Sequence, residues 1–238
     1  ARTEVTLHVE LSEMERALYE TLRTQAVAMM DAASLQPAGQ QQLMILAEIM
    51  KLRRACCHPR LILENSSLSS AKLLLFEELV DELLENEHKA LVFSQFVGHL
   101  AIIAELLNKK GIRYQYLDGS TPAAERKRAV NSFQAGDGEL FLISLKAGGT
   151  GLNLTAADYV IHTDPWWNPA VEDQASDRAH RMGQQKPVTI YRLVAKNTIE
   201  EKIVALHHQK RDLANQLLEG GDVSGKLSIE AMLALLKA

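Results

Sequence analysis

A glutamine and two arginines share a spacing that suits the binding of a phosphate group. Gln174, Arg178 and Arg181 lie at i, i+4 and i+7, so in a helix their side chains project from one face. Asn168 and Pro169 predict the start of that helix, because asparagine is a good N-cap and proline is favoured at the first helical position. Two arginines on one face can hold a transferring phosphoryl group, since guanidiniums offer fixed charge and planar, bidentate donors.

A surface salt-bridge role is the alternative for the same two arginines. Asp173 and Asp177 lie on the same segment and are available to neutralise them. Two guanidiniums on one helix face repel each other unless an anion or an acidic partner lies between them. The string around them, QASDRAHRMGQ, favours the phosphate site over the salt bridges.

A glycine-rich segment after a predicted strand could hold a phosphate oxygen on its backbone. Gly148, Gly149 and Gly151 allow the chain to turn tightly and to expose its amides. Lys146 adds a positive charge and Thr150 adds a hydroxyl. A plain tight turn would explain the glycines equally well, so both interpretations stay open.

Two further loops carry residues that are unusual for plain connections. In DPWWNP, Trp166 and Trp167 cannot both pack into one core face. One is expected to anchor the loop and the other to stack or wedge against a partner. The turn LDGSTP at 117–122 precedes a predicted helix with three basic residues, for which a solvated face and a phosphate-binding role are both open. These residues are Arg126, Lys127 and Arg128.

The elements that must position these residues alternate between helices and short apolar strands from about residue 71. Strands are predicted at 90–94, 113–117, 139–144, 159–163 and 188–194. Several are continuously apolar, as expected for a parallel sheet covered on both faces. Strand–helix–strand repetition predicts a doubly wound α/β fold, in which ligands gather at the carboxyl ends of the strands. The loops after Ser94, Leu117, Ser144 and Thr163 are therefore expected at one edge.

The flanking segments are predicted to be mainly helical. Residues 1–64 read as one alternating strand and two helices, the first opened by a capping box at Ser12 with Met14 on its apolar face. Pro37 and Gly39 are expected to separate the two helices, the second of which begins near Gln41. Residues 65–197 form the α/β domain, and 198–238 carry a long helix and a short one.

Composition fits a soluble globular protein and gives no global sign of a nucleic-acid partner. The chain has 238 residues, 47% of them hydrophobic, and a net charge of −4, so any such binding must come from a local basic surface. The adjacent Cys56 and Cys57 are predicted to be reduced, buried thiols, and no metal-ligand cluster is found. The sequence predicts neither a membrane span nor a signal peptide. An opening Ala-Arg-Thr suggests a piece of a longer protein.

Taken in order, these strings resemble the second motor lobe of the Swi/Snf-type DNA translocases, within helicase superfamily two. LVFSQF at 91–96 resembles motif IV, SLKAGGTGLNLTAAD at 144–158 resembles motif V, and the string from Asp164 to Gln184 resembles motifs Va and VI. YLDGSTP, LRRACCHPRL and TIEEKI resemble other ordered segments of the family, including its helical protrusion and its brace. The likeness covers essentially the whole chain, and the segment TIYRLVAKNTIEEKI is more similar to bacterial members.

The resemblance implies a RecA-like parallel sheet flanked by helices, with an N-terminal helical protrusion and C-terminal brace helices. It also implies an ATPase that moves along double-stranded DNA by opening and closing two lobes. The chain has no GxxxxGK[ST] loop and no acidic DExH box, so ATP and Mg²⁺ are expected to be held mainly by the first lobe of the same protein. The opening strand of this chain could be a remnant of that lobe's edge. The fragment alone is expected to be inactive, and any protein cargo is left open.

The resemblance also implies roles for individual residues. Arg178 and Arg181 are expected to be catalytic arginines that reach the γ-phosphate of ATP on the other lobe. Gln174, Gly149 and Gly151 are expected to help bind ATP. Lys146 stands where relatives often have arginine, which replaces a bidentate phosphate contact by a point charge. The expected DNA contacts are Ser94, Gln95, Gly119, Ser120, Lys146, Thr150 and Trp167.

Two other functions remain alternatives at the level of sequence. One is a non-catalytic module that binds nucleic acid or protein and retains the lobe fold. The other is an RNA-directed helicase of the same superfamily, which fits the HRMGQ string less well. The expected location is the nucleoid-associated cytoplasm for a bacterial protein and the nucleus for a eukaryotic one.

Overall fold

A sheet with helices on both faces is the centre of the computed structural model, which describes residues 1–147, 151–217 and 228–237. The strands are β1 (Arg2–Val9), β2 (Ala90–Ser94), β3 (Tyr114–Leu117), β4 (Leu140–Ser144), β5 (Tyr159–His162) and β6 (Val188–Ala195). The helices are α1 (Glu13–Ala33), α2 (Ala38–Cys57), α3 (Ala71–Glu85), α4 (Val97–Lys109), α5 (Ala123–Gln134), α6 (Pro169–Ser176), α7 (Ile199–Leu217) and α8 (Ile229–Leu236). Among the described residues, no helix combines the length and apolar character needed to cross a bilayer.

The strands of the described chain form one sheet in the order β1-β6-β5-β2-β4-β3. The pairs β3/β4, β4/β2, β2/β5 and β5/β6 are parallel. Ser94 pairs with Ser144, and Leu117 pairs with Ile143, so these three strands end at the same level. The loops predicted to carry the functional residues therefore follow the same carboxyl edge of the sheet.

Apolar side chains on both faces of the central strands explain why helices cover both sides. In β2, Leu91 and Phe93 enter one core, whereas Ala90 and Val92 enter the other. The first core also takes in residues of α5 and α6, and the second takes in residues of α3 and α4. Burial of both faces stabilises the sheet by the hydrophobic effect. The α/β class predicted from the sequence is confirmed.

The opening strand belongs to this sheet. β1 lies next to β6, and the amide of Val188 donates to the carbonyl of Ala1 at 2.9 Å. Arg2, on the same strand, forms ion pairs with Asp173 at 2.9 Å and Asp177 at 3.1 Å. The expectation that this strand is a remnant of another lobe's edge is therefore wrong, because its hydrogen bonds and ion pairs are made within the lobe itself.

Two compact units divide the chain. The first consists of Ala1–Val9, Leu73–Trp166 and Ala170–Val194, and holds the sheet with its covering helices. The second consists of Glu10–Lys72, Trp167–Pro169 and the described part of Ala195–Ala238. The predicted protrusion and the predicted brace helices thus share the second unit.

A buried ion pair ties separate segments of the second unit together. Lys72 Nζ lies 2.7 Å from Glu200 Oε2, and both side chains are almost completely buried. Burial is the largest single influence and would lower the pKa of Lys72. The charges of Glu200, Cys57 and Cys56 and the hydrogen bond to Glu200 together outweigh it, so that pKa is raised. Cys56 and Cys57 are both buried thiols, as predicted, and burial raises the pKa of the Cys56 thiol.

Two details of the predicted helices differ from the structure. The second helix begins at Ala38, with Pro37 at its N-cap, so Gly39 lies inside the helix and does not break it. In α1 the side chain of Met14 is 61% exposed, whereas Glu15 is buried. Glu15 accepts hydrogen bonds from the amides of Ser12 and Ala71, which draws it inward in place of its apolar neighbour.

Candidate functional site

Asp164 joins the loops that follow β2 and β5. Its Oδ1 accepts a hydrogen bond from the Ser94 hydroxyl at 2.5 Å and from the Thr163 hydroxyl at 3.0 Å. Its Oδ2 accepts the amide of Gln95 at 3.1 Å. Asp164 and Ser94 are both buried. Of the two residues predicted to contact DNA here, Gln95 is half-exposed, whereas the Ser94 hydroxyl is committed to Asp164.

Asp118 organises the turn that follows β3. Its Oδ1 accepts the Ser120 amide at 2.8 Å and the Ser120 hydroxyl at 2.7 Å, and its Oδ2 accepts the Tyr116 hydroxyl at 2.8 Å. The hydrogen bonds from Ser120, and next from Tyr116, lower the pKa of Asp118. Gly119 and Ser120 are exposed at the tip of this turn. The turn is therefore shaped by its own side chains and presents the predicted contact residues to solvent.

The segment after β4 is hydrogen-bonded to the end of β2 and to helix α5. The Leu145 amide donates to the Ser94 carbonyl at 2.9 Å, and Arg126 on α5 donates to the Ala147 carbonyl at 2.7 Å. Lys146, between them, is exposed. Gly151 is exposed and has a φ of 104°, a backbone conformation that favours glycine. The predicted ligands Gly148, Gly149 and Thr150 lie outside the described residues.

Helix α6 ends before the two arginines that the sequence predicts on it. α6 ends at Ser176, so Gln174 lies on the helix but Arg178 and Arg181 follow it. The prediction that all three share one helix face is wrong. After the helix the chain turns through i→i−3 hydrogen bonds, such as the one from the Arg178 amide to the Ala175 carbonyl at 3.3 Å. The Leu154 amide donates to the Arg178 carbonyl at 2.9 Å.

The two arginines differ in exposure. Arg178 is 8% exposed, and its guanidinium carbon lies 5.5 Å from the centroid of the Phe93 ring. Burial lowers the pKa of Arg178. Arg181 is exposed, and its Nη1 donates to the Leu152 carbonyl at 3.0 Å. Arg178, through its carbonyl, contacts Leu154, and Arg181, through its side chain, contacts Leu152, so both arginines bond to the predicted motif V. Gln174 is exposed on α6.

Buried polar contacts fix α6 against the sheet. Arg192 Nε on β6 lies 2.8 Å from Glu172 Oε1, and Ser176 shares a hydrogen bond with His162 at 2.9 Å. Burial raises the pKa of Glu172 to about 7, although the charge of Arg192 acts in the opposite direction. The ion pairs that Asp173 and Asp177 form with Arg2 hold the outer side of the same segment.

The adjacent tryptophans belong to different environments. Trp166 packs against the core that contains Phe93. Trp167, in the second unit, has its ring 5.3 Å from the guanidinium carbon of the buried Arg53. Each ring is only partly buried. One tryptophan anchors its loop as expected, and the predicted DNA-contact residue Trp167 stacks on an arginine while keeping part of its surface exposed.

Sequence reasoning missed the residues that hold the loops together. In the sequence, Asp164 stands out only as part of DPWWNP, and Asp118 only as part of LDGSTP. The sequence leaves a solvated face and a phosphate-binding role open for Arg126, whereas in the structure Arg126 donates to three backbone carbonyls. The signal available for Asp164 was its position directly after a buried strand, where an acidic side chain is seldom buried without partners.

A parallel sheet with helices on both faces and basic and polar loops at its carboxyl edge defines a RecA-like lobe. Residues 72–183 match the family described as helicase conserved C-terminal domain, which includes the loops after β2, β3, β4 and β5 and both arginines. By sequence and by fold, the chain is similar to the C-terminal lobes of SWI/SNF-related ATP-dependent helicases.

Relatives in bacteria and in animals support that assignment. The chain is 39% identical over 96% of its length to an uncharacterized ATP-dependent helicase of Mycoplasma pneumoniae, of which it covers 22%. It is 35% identical over 99% of its length to subfamily A member 1 of the SWI/SNF-related, matrix-associated, actin-dependent regulators of chromatin from Homo sapiens, of which it covers 24%. It therefore spans roughly a quarter of the length of these relatives.

Solved structures of an archaeal relative show the same fold. The C-terminal domain of the Sulfolobus solfataricus SWI2/SNF2 ATPase aligns with a TM-score of 0.79 and 28% identity, over 100% of this chain and 99% of that one. The core of that ATPase in complex with double-stranded DNA aligns with a TM-score of 0.80 and 30% identity, over 99% of this chain and 50% of that one.

Proposed function

We propose that this chain is the second motor lobe of an ATP-dependent translocase that acts on double-stranded DNA. In this role it supplies Arg178 and Arg181 to ATP and binds the DNA backbone through loops at the carboxyl edge of its sheet. The observation that carries the proposal is the placement of polar and basic groups with accessible surface after three neighbouring parallel strands, at the half-exposed Gln95 and the exposed Ser120 and Lys146. These groups follow the strand ends where α/β sheets bind their ligands.

The arginine segment has a donor set suited to a nucleotide phosphate. Arg181 is exposed, so its guanidinium is accessible to a phosphate held by another lobe. Arg178 is mostly buried on Phe93 and offers the charge nearer the core. Fixed guanidiniums of this kind stabilise the charge that develops in phosphoryl transfer. ATP and Mg²⁺ would be held mainly by a first lobe of the same protein, because this sequence contains neither a Walker A loop nor an acidic DExH box.

The DNA contacts proposed for this chain fall into two groups. Gln95, Gly119, Ser120 and Lys146 have accessible surface and would contact the backbone directly. Ser94 is buried and bonded to Asp164, so its part in DNA binding is to fix the Gln95 backbone. Because such contacts are few and address phosphates, binding is expected to be weak, independent of sequence and strongly weakened by salt.

The test is the ATPase activity of the intact protein that contains this lobe together with its first lobe. Activity is measured with double-stranded DNA, single-stranded DNA and RNA of matched length. Stimulation by duplex DNA above the other two is the expected result. Equal or greater stimulation by RNA would assign the lobe to an RNA-directed helicase. Absence of nucleic-acid-stimulated turnover would favour a binding module that retains the fold.

A further inference from the structure

We infer that Arg126 is a positioning residue that holds the two DNA-facing turns after β3 and β4 in fixed register. The inference rests on the proposed function and adds to it a residue that does not itself touch the DNA. Arg126 lies on α5 and is half-buried behind the two turns. The residues it places are Ser120 in the first turn and Lys146 in the second.

The guanidinium of Arg126 bonds to three carbonyls at once. Its Nε lies 3.0 Å from the Thr121 carbonyl and its Nη2 lies 3.2 Å from the Asp118 carbonyl, both in the turn after β3. Its Nη1 lies 2.7 Å from the Ala147 carbonyl, in the segment after β4. A planar guanidinium carries five N–H donors in a fixed fork, so one side chain can span both turns.

The neighbours of Arg126 on α5 show that its orientation is specific. Lys127 and Arg128 are exposed, as expected for basic residues on a solvated helix face. Arg126 instead directs its charge at backbone carbonyls of the turns. Hydrogen bonds to a charged donor are stronger than neutral ones. The two interpretations that the sequence leaves open are therefore replaced by a third, in which the arginine braces the loops.

The remaining contacts of the edge explain why this brace matters. The turn after β3 is internally shaped by Asp118, and Leu145 bonds the segment after β4 to the Ser94 carbonyl, next to Asp164. Arg126 joins the turn after β3 to the segment after β4, because its guanidinium bonds to carbonyls of both. Exposed loops that are already ordered lose less conformational entropy on binding, which raises affinity without adding a contact.

Binding of a fluorescent DNA duplex to this chain tests the inference, with Arg126→Ala, Arg126→Lys and the matched control Arg128→Ala. Affinity is measured over a range of salt concentrations. Arg126→Ala and Arg126→Lys should both weaken binding by about five- to tenfold, the order of effect expected when a loop must be ordered on binding. The slope of log K against log[salt] should stay unchanged, because no phosphate contact is lost.

The salt slope separates a brace from a direct contact. If Arg126 bound a phosphate, its replacement by alanine would lower the slope by about 0.9, and the inference would be wrong. It would also be wrong if Arg126→Lys bound DNA like the wild type. Arg128→Ala should keep the wild-type affinity within about twofold. A five- to tenfold loss of affinity at an unchanged slope in this control would contradict the inference. Failure of the wild-type chain to bind any duplex would instead contradict the proposed function.

Hydrogen exchange provides a readout that needs no DNA. Amides of residues 118–121 and 145–147 should exchange faster in Arg126→Lys than in the wild type, whereas the central strands should be unchanged. Arg128→Ala should leave both turns as protected as in the wild type. Unchanged protection of the two turns in Arg126→Lys would overturn the inference, whatever the outcome with DNA.

Discussion

Glu172 and Arg192 form a buried ion pair between α6 and β6, with Arg192 Nε 2.8 Å from Glu172 Oε1. The carboxylate is almost completely removed from solvent, and its pKa is raised from 4.5 to about 7 because burial outweighs the attraction of Arg192. Glu172 lies two residues before Gln174 and six before Arg178. The segment that carries the proposed catalytic arginines is thus attached to the sheet through a group that titrates near neutral pH.

The first prediction is that Glu172→Gln changes how stability depends on pH. A carboxyl with a raised folded-state pKa contributes stability that is complete below its unfolded pKa and is lost as the pH rises through the folded value. The wild type should therefore lose stability relative to Glu172→Gln between pH 4.5 and pH 8. A shift from 4.5 to about 7 corresponds to about 3 kcal/mol at most.

Urea unfolding of both proteins at several pH values measures that difference. The exposed Glu125→Gln is the matched control and should give a difference that is nearly constant with pH. A constant difference for Glu172→Gln as well would mean that Arg192 keeps the carboxylate ionised throughout this range. Protection of the α6 backbone in hydrogen exchange would show whether the loss is local to this segment.

The second prediction concerns the buried pair of Lys72 and Glu200. Removing one partner leaves an uncompensated charge in a dry interior, so Lys72→Met or Glu200→Gln should destabilise the chain by about 3–5 kcal/mol. The double variant Lys72→Met/Glu200→Leu should recover much of the loss, because two apolar groups need no ionic partner. Glu200 Oε1 also accepts the Ala195 amide at 2.9 Å, which makes full recovery unexpected.

Urea unfolding also measures this effect, with Arg113→Ala as the control at an exposed pair with Glu139. The control should cost less than about 1 kcal/mol. Additive losses in the Lys72/Glu200 double variant would show that the two charges are stabilised by other groups and not mainly by each other.

The third prediction concerns Asp164, which accepts hydrogen bonds from Ser94, Thr163 and the Gln95 amide. Asp164→Ala leaves these buried donors without their acceptor and should destabilise the chain by about 1–3 kcal/mol for each donor that finds no replacement. Asp164→Asn keeps one oxygen acceptor and should cost less. Thermal unfolding measures the difference, with Asp173→Ala as the control at a half-exposed carboxylate that pairs with Arg2. Equal losses in Asp164→Ala and Asp173→Ala would contradict the buried network.

Periodicity was enough to predict the strands and helices of the sheet. β2, for instance, was predicted and is observed at 90–94, because a continuously apolar run flanked by polar residues has few other structures open to it. The sequence predicts the start of α2 near Gln41, three residues late, because Gly39 is expected to break a helix. In the structure Pro37 is the N-cap, and the helix begins directly after it at Ala38. Met14 was predicted to be buried, but the capping-box residue Glu15 takes that place through its hydrogen bonds.

The geometry of the site depends on contacts that no local pattern encodes. Helical spacing predicted one face for Gln174, Arg178 and Arg181, but the Leu154 amide binds the Arg178 carbonyl after the helix has ended. Arg126 lies in a helix with two other basic residues, and its sequence neighbours give no sign that it alone bonds to the turns. Both roles include a partner that is distant in sequence, Leu154 for Arg178 and Ala147 for Arg126, which only the folded chain brings close.

The fourth prediction is that this chain alone hydrolyses ATP no faster than buffer. Its sequence has no Walker A loop or DExH box, so nothing in it is expected to hold the triphosphate and Mg²⁺ for in-line attack. A coupled phosphate-release assay with and without duplex DNA measures the rate. Sustained turnover that copurifies with the chain and disappears in Arg181→Ala would show that the lobe is catalytic by itself and would contradict the proposed division of labour.

The fifth prediction separates the two arginines in the intact motor. Arg181 is exposed, so Arg181→Ala should lower DNA-stimulated ATPase activity by about 10³-fold or more while leaving the melting temperature and DNA affinity nearly unchanged. Arg178 is buried against Phe93, so Arg178→Ala should lower both the activity and the melting temperature. Lys186→Ala, an exposed residue beyond the motif, serves as the control. If Arg181→Ala lost DNA binding together with ATPase activity, the arginine would act at the DNA or in the fold, and only Arg178 would remain as a candidate for the phosphate.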